Sequence, residues 1–513
     1  MALALLSTLG FPLFLWIGDR ERIVSIVSDD AYYYFSVAAN IAQGHGPTAD
    51  GITKTTGFHP LYGFLLAGLY RLTSPTPDGL VRLAIALNAI CFLATGCFLA
   101  LAARQLWGRL AAILAFLLWL TNPHASLVSA IGLEGSVYGL TLSLLFWRLT
   151  SFADYRLHAG SGGEWLLRSA ILGVYMGMTL LARTDSLVLV PMIALVLWWI
   201  VPNAALVLRV SGVVLFTAIS LGLLSLWWRY AWIHTGEFLQ GSAAIKTLWR
   251  PAIVEEEYGK YTLVTSVLFG GSVWLPYLVK CFFKIPALKW SLSALPQLFS
   301  SAEAMTPRRL TYHICWIFPA LLGIAYAMMI DRPRTWYYVP ALVTLTLLTA
   351  GAAGLIMSSP PTNLWLALAR RFLPWLGWLI VIESAAIGGR NLLYGRSSEQ
   401  VGGLRAAQWV TENVEKGIVI GCWHSGIVQF YTPNHTVINL DGLANNEILS
   451  VLGGDKTMNE YWDERGITLI LGEPRQKMGG YARAWNGKKL EPVRNGVQRV
   501  GRNPHSTETL PAP

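Results

Sequence analysis

The sequence predicts a polytopic α-helical membrane protein with a small α/β domain at its C-terminal end, and three observations carry that reading. Apolar runs of membrane-spanning length recur up to about residue 390. The 513-residue chain is 54% hydrophobic and only 13% charged, with a mean hydropathy of +0.47, which is too apolar for an ordinary water-soluble protein. After about residue 395, short β-branched runs alternate with helical periodicity, as in a soluble α/β unit.

By apolar-run counting, the first span covers Ala2 to Ile17 and is retained, because it has neither a basic leading region nor a small-residue cleavage site. A long polar and aromatic loop follows over about 18–78, and a second span over about 79–103. Further spans fall at about 110–121, 134–150, 169–183, 186–201, 209–230, 262–282, 310–330, 337–357 and 372–388, roughly eleven in all. In this register Arg148, Arg156, Arg168, Lys280, Lys284, Lys289, Arg308, Arg309, Arg370 and Arg371 share one side. That side is cytoplasmic by the positive-inside rule, and the long first loop is then extracytoplasmic. The net charge of +10 comes largely from such loops and calls for no nucleic acid.

Residues 1–394 therefore form the membrane domain, and 395–513 an extracytoplasmic α/β domain with a disordered tail from Arg499. In the latter, Glu399 to Glu415 reads as a helix, and Gly417 to Gly421, Thr436 to Leu440 and Ile467 to Leu471 as strands. His424-Ser425 and Asp441-Gly442 lie in strand-end loops, where α/β sheets bind ligands. An isolated His-Ser pair is weak support for hydrolysis, and packing or acceptor recognition is the better reading of this domain. The five cysteines, Cys91, Cys97, Cys281, Cys315 and Cys422, have no metal-binding spacing and read as small apolar side chains.

The candidate chemistry sits on the outward side. Ser28-Asp29-Asp30-Ala31-Tyr32-Tyr33-Tyr34 sets two carboxylates beside three tyrosines at the membrane boundary. Adjacent, partly buried carboxylates repel, so one of them is a candidate general base or metal ligand; the pair also reads as an N-cap for a helix from Ala31. Tyr32 to Ala42 has helical spacing, which suggests an amphipathic helix on the membrane surface. Other outward segments bring Glu134, Arg183 with Asp185, Lys246, and Arg334 with Trp336, Tyr337 and Tyr338. Arginine and lysine on the side that is normally poor in them suggest phosphate binding by Arg183, Lys246 or Arg334. Acid groups and cations on a lipid-embedded frame suggest transfer from a lipid-linked phosphate, with a carboxylate as base and cations on the leaving phosphate. No nucleotide-binding glycine loop supports a nucleotide-sugar donor.

These residues resemble the integral-membrane GT-C glycosyltransferases, especially bacterial relatives of the protein O-mannosyltransferases and the lipid A aminoarabinose transferase. The likeness lies in Ser28 to Tyr34, Gly44-His45-Gly46-Pro47-Thr48, Thr56-Gly57-Phe58-His59-Pro60-Leu61, Gly132-Leu133-Glu134 and Ala182-Arg183-Thr184-Asp185. It implies a GT-C-like helical fold in the bacterial cytoplasmic (inner) membrane, a polyprenyl-phosphate sugar as donor, and inversion at the anomeric carbon. The acceptor, a glycan, lipid or protein, would approach from outside. The resemblance makes Asp29 the base and Asp30 its neighbour or a metal ligand, without separating the two, and leaves a divalent cation as a candidate cofactor. His59 stands where the aminoarabinose-transferase type has a second acidic residue. Readings from other classes are a lipid-linked sugar transporter and a catalytically silent scaffold.

Overall fold

The computed structural model describes residues 16–155, 162–200, 206–258 apart from 239, 307–329, 334–358, 398–471, 490–494 and 497–500, with isolated positions in 260–266 and 367–390. The spans expected at 2–17 and, for the most part, at 262–282 and 372–388 lie outside these residues, as do Arg156, Lys280, Lys284, Lys289, Cys281 and 501–513.

The chain begins with α1 (Arg20–Ile26), α2 (Asp29–Ala42) and α3 (Pro60–Thr73), then runs through α4 (Pro77–Trp107), α5 (Arg109–Leu120), α6 (Pro123–Ala130), α7 (Gly135–Tyr155), α8 (Gly162–Ala182), α9 (Leu189–Ile200), α10 (Leu206–Thr235), α11 (Gly241–Tyr258), α12 (Pro307–Met329) and α13 (Val339–Ser358). Among the described residues, four helical stretches are long and apolar enough to cross a membrane: α4, α8, α10 and Thr335–Ser358; α5 with α6, bent by 54°, makes a fifth if counted as one span. Local sequence sets these ends. Pro77 opens α4 behind Thr76, whose hydroxyl accepts from Gly79 N, and Asn122 caps α6 at the bend. In its most apolar window α10 is only 17% buried, whereas Thr335–Ser358 is 83% buried. The first therefore presents Val207, Val214 and Leu226 outward and suits contact with lipid, while the second is wrapped by protein.

The C-terminal part adds α14 (Ser398–Asn413), β1 (Val419–Cys422), α15 (Gly426–Tyr431), β2 (Thr436–Asn439), α16 (Ile448–Gly453), α17 (Met458–Arg465), β3 (Ile467–Leu471), β4 (Leu490–Arg494) and β5 (Val497–Val500). Its sheet has the order β2-β1-β3-β5-β4, parallel across β2, β1 and β3 and antiparallel at β5 and β4. Arg499, expected in a disordered tail, lies in strand β5. Val410, Ile420, Val428, Val437 and Leu471 form a local core between α14 and the sheet.

Two expectations for the first loop change. The N-cap is Ser28, and the helix starts at Asp29, so both carboxylates lie inside its first turn. Every residue from Ala31 to Ala38 is buried. Hence α2 does not present one polar face from a membrane surface; it is held between the membrane helices and the C-terminal part. Tyr32 packs on Phe430 and Tyr431, while Tyr34 packs on Phe58 and Tyr62. The two parts share one continuous apolar core.

That joint is tight at Gly57, where an added Cβ would stand 1.9 Å from the Leu443 carbonyl oxygen. Backbone cannot swing aside as a side chain can, so Gly57→Ala should cost about 1–3 kcal/mol. The expected readout is a lower thermal midpoint with faster proteolysis around 440–446. Gly68→Ala, with open space at its Cβ, should leave both unchanged.

Candidate functional site

Successive residues on an α-helix point about 100° apart, and Asp29 and Asp30 meet different surroundings. Asp29 is turned to the C-terminal part, where Oδ1 accepts from Ile427 N at 2.9 Å and Oδ2 is buried without a partner among the described residues. Burial pushes its carboxyl well above the usual range, opposed by the amide donors of Ile427 and Gly426. Asp30 instead lines a cavity of about 470 Å³.

Tyr33, one helical turn on, also lines this cavity and donates to Asp441 Oδ2 at 3.3 Å. Tyr34 lines it as well, and its hydroxyl accepts from His59 N at 3.1 Å. His59 is the N-cap residue of α3, with Nε2 at 3.7 Å from Glu134 Oε1. Burial lowers its pKa to about 4, despite the nearby Glu134 carboxylate, so the imidazole is neutral at ordinary pH.

Glu134 is delivered by a fixed turn. Gly132 adopts a φ of +77°, which favours glycine. Its carbonyl accepts from Tyr62, and that of Leu133 accepts from Asn88. Glu134 Oε1 receives Arg183 Nη1 at 2.7 Å, while Nε and Nη2 of Arg183 donate to Asp185 Oδ2 at 3.0 and 2.7 Å. The Tyr326 hydroxyl also donates to Asp185 Oδ2, and the guanidinium lies over the rings of Tyr337 and Tyr138. Arg183 thus lines the cavity while paired with two carboxylates. Lys246, on α11, lines the same cavity and donates to the Tyr337 hydroxyl at 2.8 Å. Arg334 is exposed at the start of the short helix Thr335–Tyr338 and is not among the residues lining the cavity.

The cavity therefore unites Asp30, Tyr33, Tyr34, His59, Glu134, Arg183, Asp185, Lys246 and Tyr337, and leaves out Asp29 and Arg334. Leu187, Val188, Leu321, Leu322, Ala325 and Met329 give it an apolar stretch of wall, and Thr184, Gln240, Ser242 and Thr247 add polar groups. Sequence reasoning missed Tyr326, a hydroxyl near the end of an apolar helix, and Leu443, which reaches in from the C-terminal part. Among the described residues, no three His, Cys, Asp or Glu side chains are grouped to hold a metal ion. Glu134 Oε1 and Asp185 Oδ2 pair with Arg183.

Overlaid on solved structures, the chain matches ArnT from Cupriavidus metallidurans in its apo form over 96% of each chain, with a TM-score of 0.57 at 14% identity. ArnT bound to undecaprenyl phosphate gives 0.55 at 14% identity, over 96% of this chain and 97% of that one. The Archaeoglobus fulgidus oligosaccharyltransferase tethered to an acceptor peptide gives 0.55 at 12% identity, over 97% of this chain and 74% of that one. The chain has the GT-C fold. Residues 391–503 also match the family described as Domain of unknown function (DUF8728). No protein of curated function is detectably similar in sequence. Within that fold, the cavity is built from the first loop, the ends of several apolar helices and one C-terminal loop.

The neutral imidazole has a consequence for stability. An unfolded histidine titrates near 6.5, above the folded value of about 4, so between these values the unfolded chain binds more protons. Stability is then fully present above pH 6.5 and is lost as pH falls through that window, by on the order of 3 kcal/mol. Between pH 7 and 4.5, His59→Gln should show a shallower fall in thermal midpoint than the parent; an equal fall would contradict burial of a neutral ring.

Proposed function

We propose that the protein is an inverting glycosyltransferase that moves a sugar from a polyprenyl-phosphate donor to an acceptor hydroxyl or amide on the extracytoplasmic side of the bacterial cytoplasmic membrane. The observation that carries the reading is that Asp30 and Lys246 line one cavity that also has an apolar stretch of wall at Leu321, Leu322, Ala325 and Met329. A carboxylate, a cation and a greasy wall are what a charged headgroup on a lipid tail requires. The fold supports this reading, since its neighbours include an ArnT bound to undecaprenyl phosphate and, at 12% identity and a TM-score of 0.50, an Archaeoglobus fulgidus AglB in complex with an inhibitory peptide and a dolichol-phosphate. Basic loops on the opposite side support the orientation.

In this mechanism the lipid chain lies along Leu321, Leu322, Ala325 and Met329, with its phosphate at Lys246. Asp30 takes the acceptor proton as the nucleophile attacks the anomeric carbon from the face opposite the phosphate. The bond from that carbon to the phosphate oxygen breaks, and its electron pair leaves with the phosphate. Lys246, held by the Tyr337 hydroxyl, offsets the charge gained there. Arg183 holds Glu134 and Asp185 in place, and His59 adds a neutral polar ring. The base role falls to Asp30 rather than to the pair, and the phosphate role to Lys246 rather than to Arg334. No step is routed through a metal.

Purified protein with a labelled polyprenyl-phosphate sugar tests the scheme. Asp30→Asn should lower turnover by about 10²- to 10⁴-fold while donor binding persists. Lys246→Met should weaken donor binding by about tenfold, the loss of one charge-assisted contact. Full turnover in Asp30→Asn would remove the base assignment, and unchanged donor affinity in Lys246→Met would remove the phosphate site.

A further inference from the structure

The loop from Asn439 to Asn446 leaves the C-terminal end of β2 and touches both sides of the cavity. At its start, Asn439 Nδ2 donates to the Tyr33 hydroxyl at 2.9 Å, and Asp441 Oδ2 accepts from the same hydroxyl at 3.3 Å. Tyr33 lies one helical turn beyond Asp30 on α2, so this pair fixes the rotation of the helix that carries Asp30. Asp441 is itself held, accepting from Leu443 N and His424 N. His424 adopts a φ of +52°, a conformation that few side chains take and that persists only where neighbours enforce it.

At the other end of the loop, Asn446 is buried and engages the segment leading to His59. Its Oδ1 accepts from Thr56 N at 2.9 Å and from the Thr55 hydroxyl at 3.2 Å, and its Nδ2 donates to Thr56 Oγ1 at 2.9 Å. Thr56 Oγ1 also accepts from Gly241 N at 3.2 Å. Gly241 is the first residue of α11, the helix of Lys246, and a Cβ there would lie 2.6 Å from Asn446 Oδ1. Between the two ends, Leu443 lines the cavity.

We propose that the 439–446 loop is a positioning element of the site: Asp441 sets Asp30 through Tyr33, and Asn446 sets Lys246 through Thr56 and Gly241. The inference rests on the transferase reading for its kinetic consequence alone. Its structural content is that a single loop of the C-terminal part gauges the separation of the base from the phosphate group. The C-terminal part then completes the site rather than only recognising an acceptor.

The two ends should fail differently. Asn446→Ala should raise KM for the polyprenyl-phosphate sugar by roughly ten- to a hundredfold with kcat within about threefold of the parent, because it frees the helix of Lys246. Asp441→Asn should lower kcat by a similar factor with KM little changed. Asn446→Asp, in which the Thr56 hydroxyl can turn to donate while still accepting from Gly241 N, should recover most of the loss at that end.

Hydrogen exchange reads the same effect without turnover. Asn446→Ala should speed exchange over 241–250 and spare 29–42, and Asp441→Asn should do the reverse. If the parent transfers no sugar from any lipid-linked donor but exchange divides in this way, the transferase reading fails and the positioning stands. If both variants loosen both segments alike, or neither segment changes, the loop only holds the two parts together and the proposal is overturned.

Discussion

The angle between two consecutive side chains on a helix governs the rest of this structure. Because Asp29 and Asp30 diverge by about a quarter turn or more, an acidic pair that looks like one feature becomes two devices. One carboxyl is buried against the amide of Ile427 and joins the membrane helices to the C-terminal part. The other opens into the cavity. Each placement supports the other, since docking of the first fixes the helix that presents the second.

Two cations, Arg183 and Lys246, line the cavity. Arg183 lies between Glu134 and Asp185 with short contacts to both. Truncating one member of such a buried group leaves a partner uncompensated, which costs far more than an exposed pair. Lys246 lines the same cavity and donates to the Tyr337 hydroxyl at 2.8 Å. The neutral His59 adds polarity to the wall without repelling either cation.

Much of this was legible in the sequence. The first-loop residues, Glu134, Arg183, Asp185, Lys246 and Tyr337 were all marked as outward candidates, because charge at a membrane boundary is conspicuous against an apolar background, and they do converge. Arg334 drew attention on the same grounds, but it is exposed and does not line the cavity. The assignment between Asp29 and Asp30 was illegible because it depends on the rotation of α2, which contacts from residues about 400 positions later decide. For the same reason, sequence had no means to show that Asn446 reaches Thr56. Strands β4 and β5 escaped notice because Pro492, Arg494 and Arg499 dilute the β-branched signal at the sheet's antiparallel edge.

The ionic inventory of the cavity bears on how a catalytic cycle would end. Three carboxylates, Asp30, Glu134 and Asp185, face two cations, Arg183 and Lys246, so the formal excess is a single negative charge. On the transferase reading, a donor phosphodiester brings one more, and transfer moves a proton onto Asp30 as the departing carrier becomes a dianion. While Asp30 holds that proton the dianion faces a balanced wall. Once the proton escapes to water the excess returns, so regenerating the base and expelling the spent lipid become a single event.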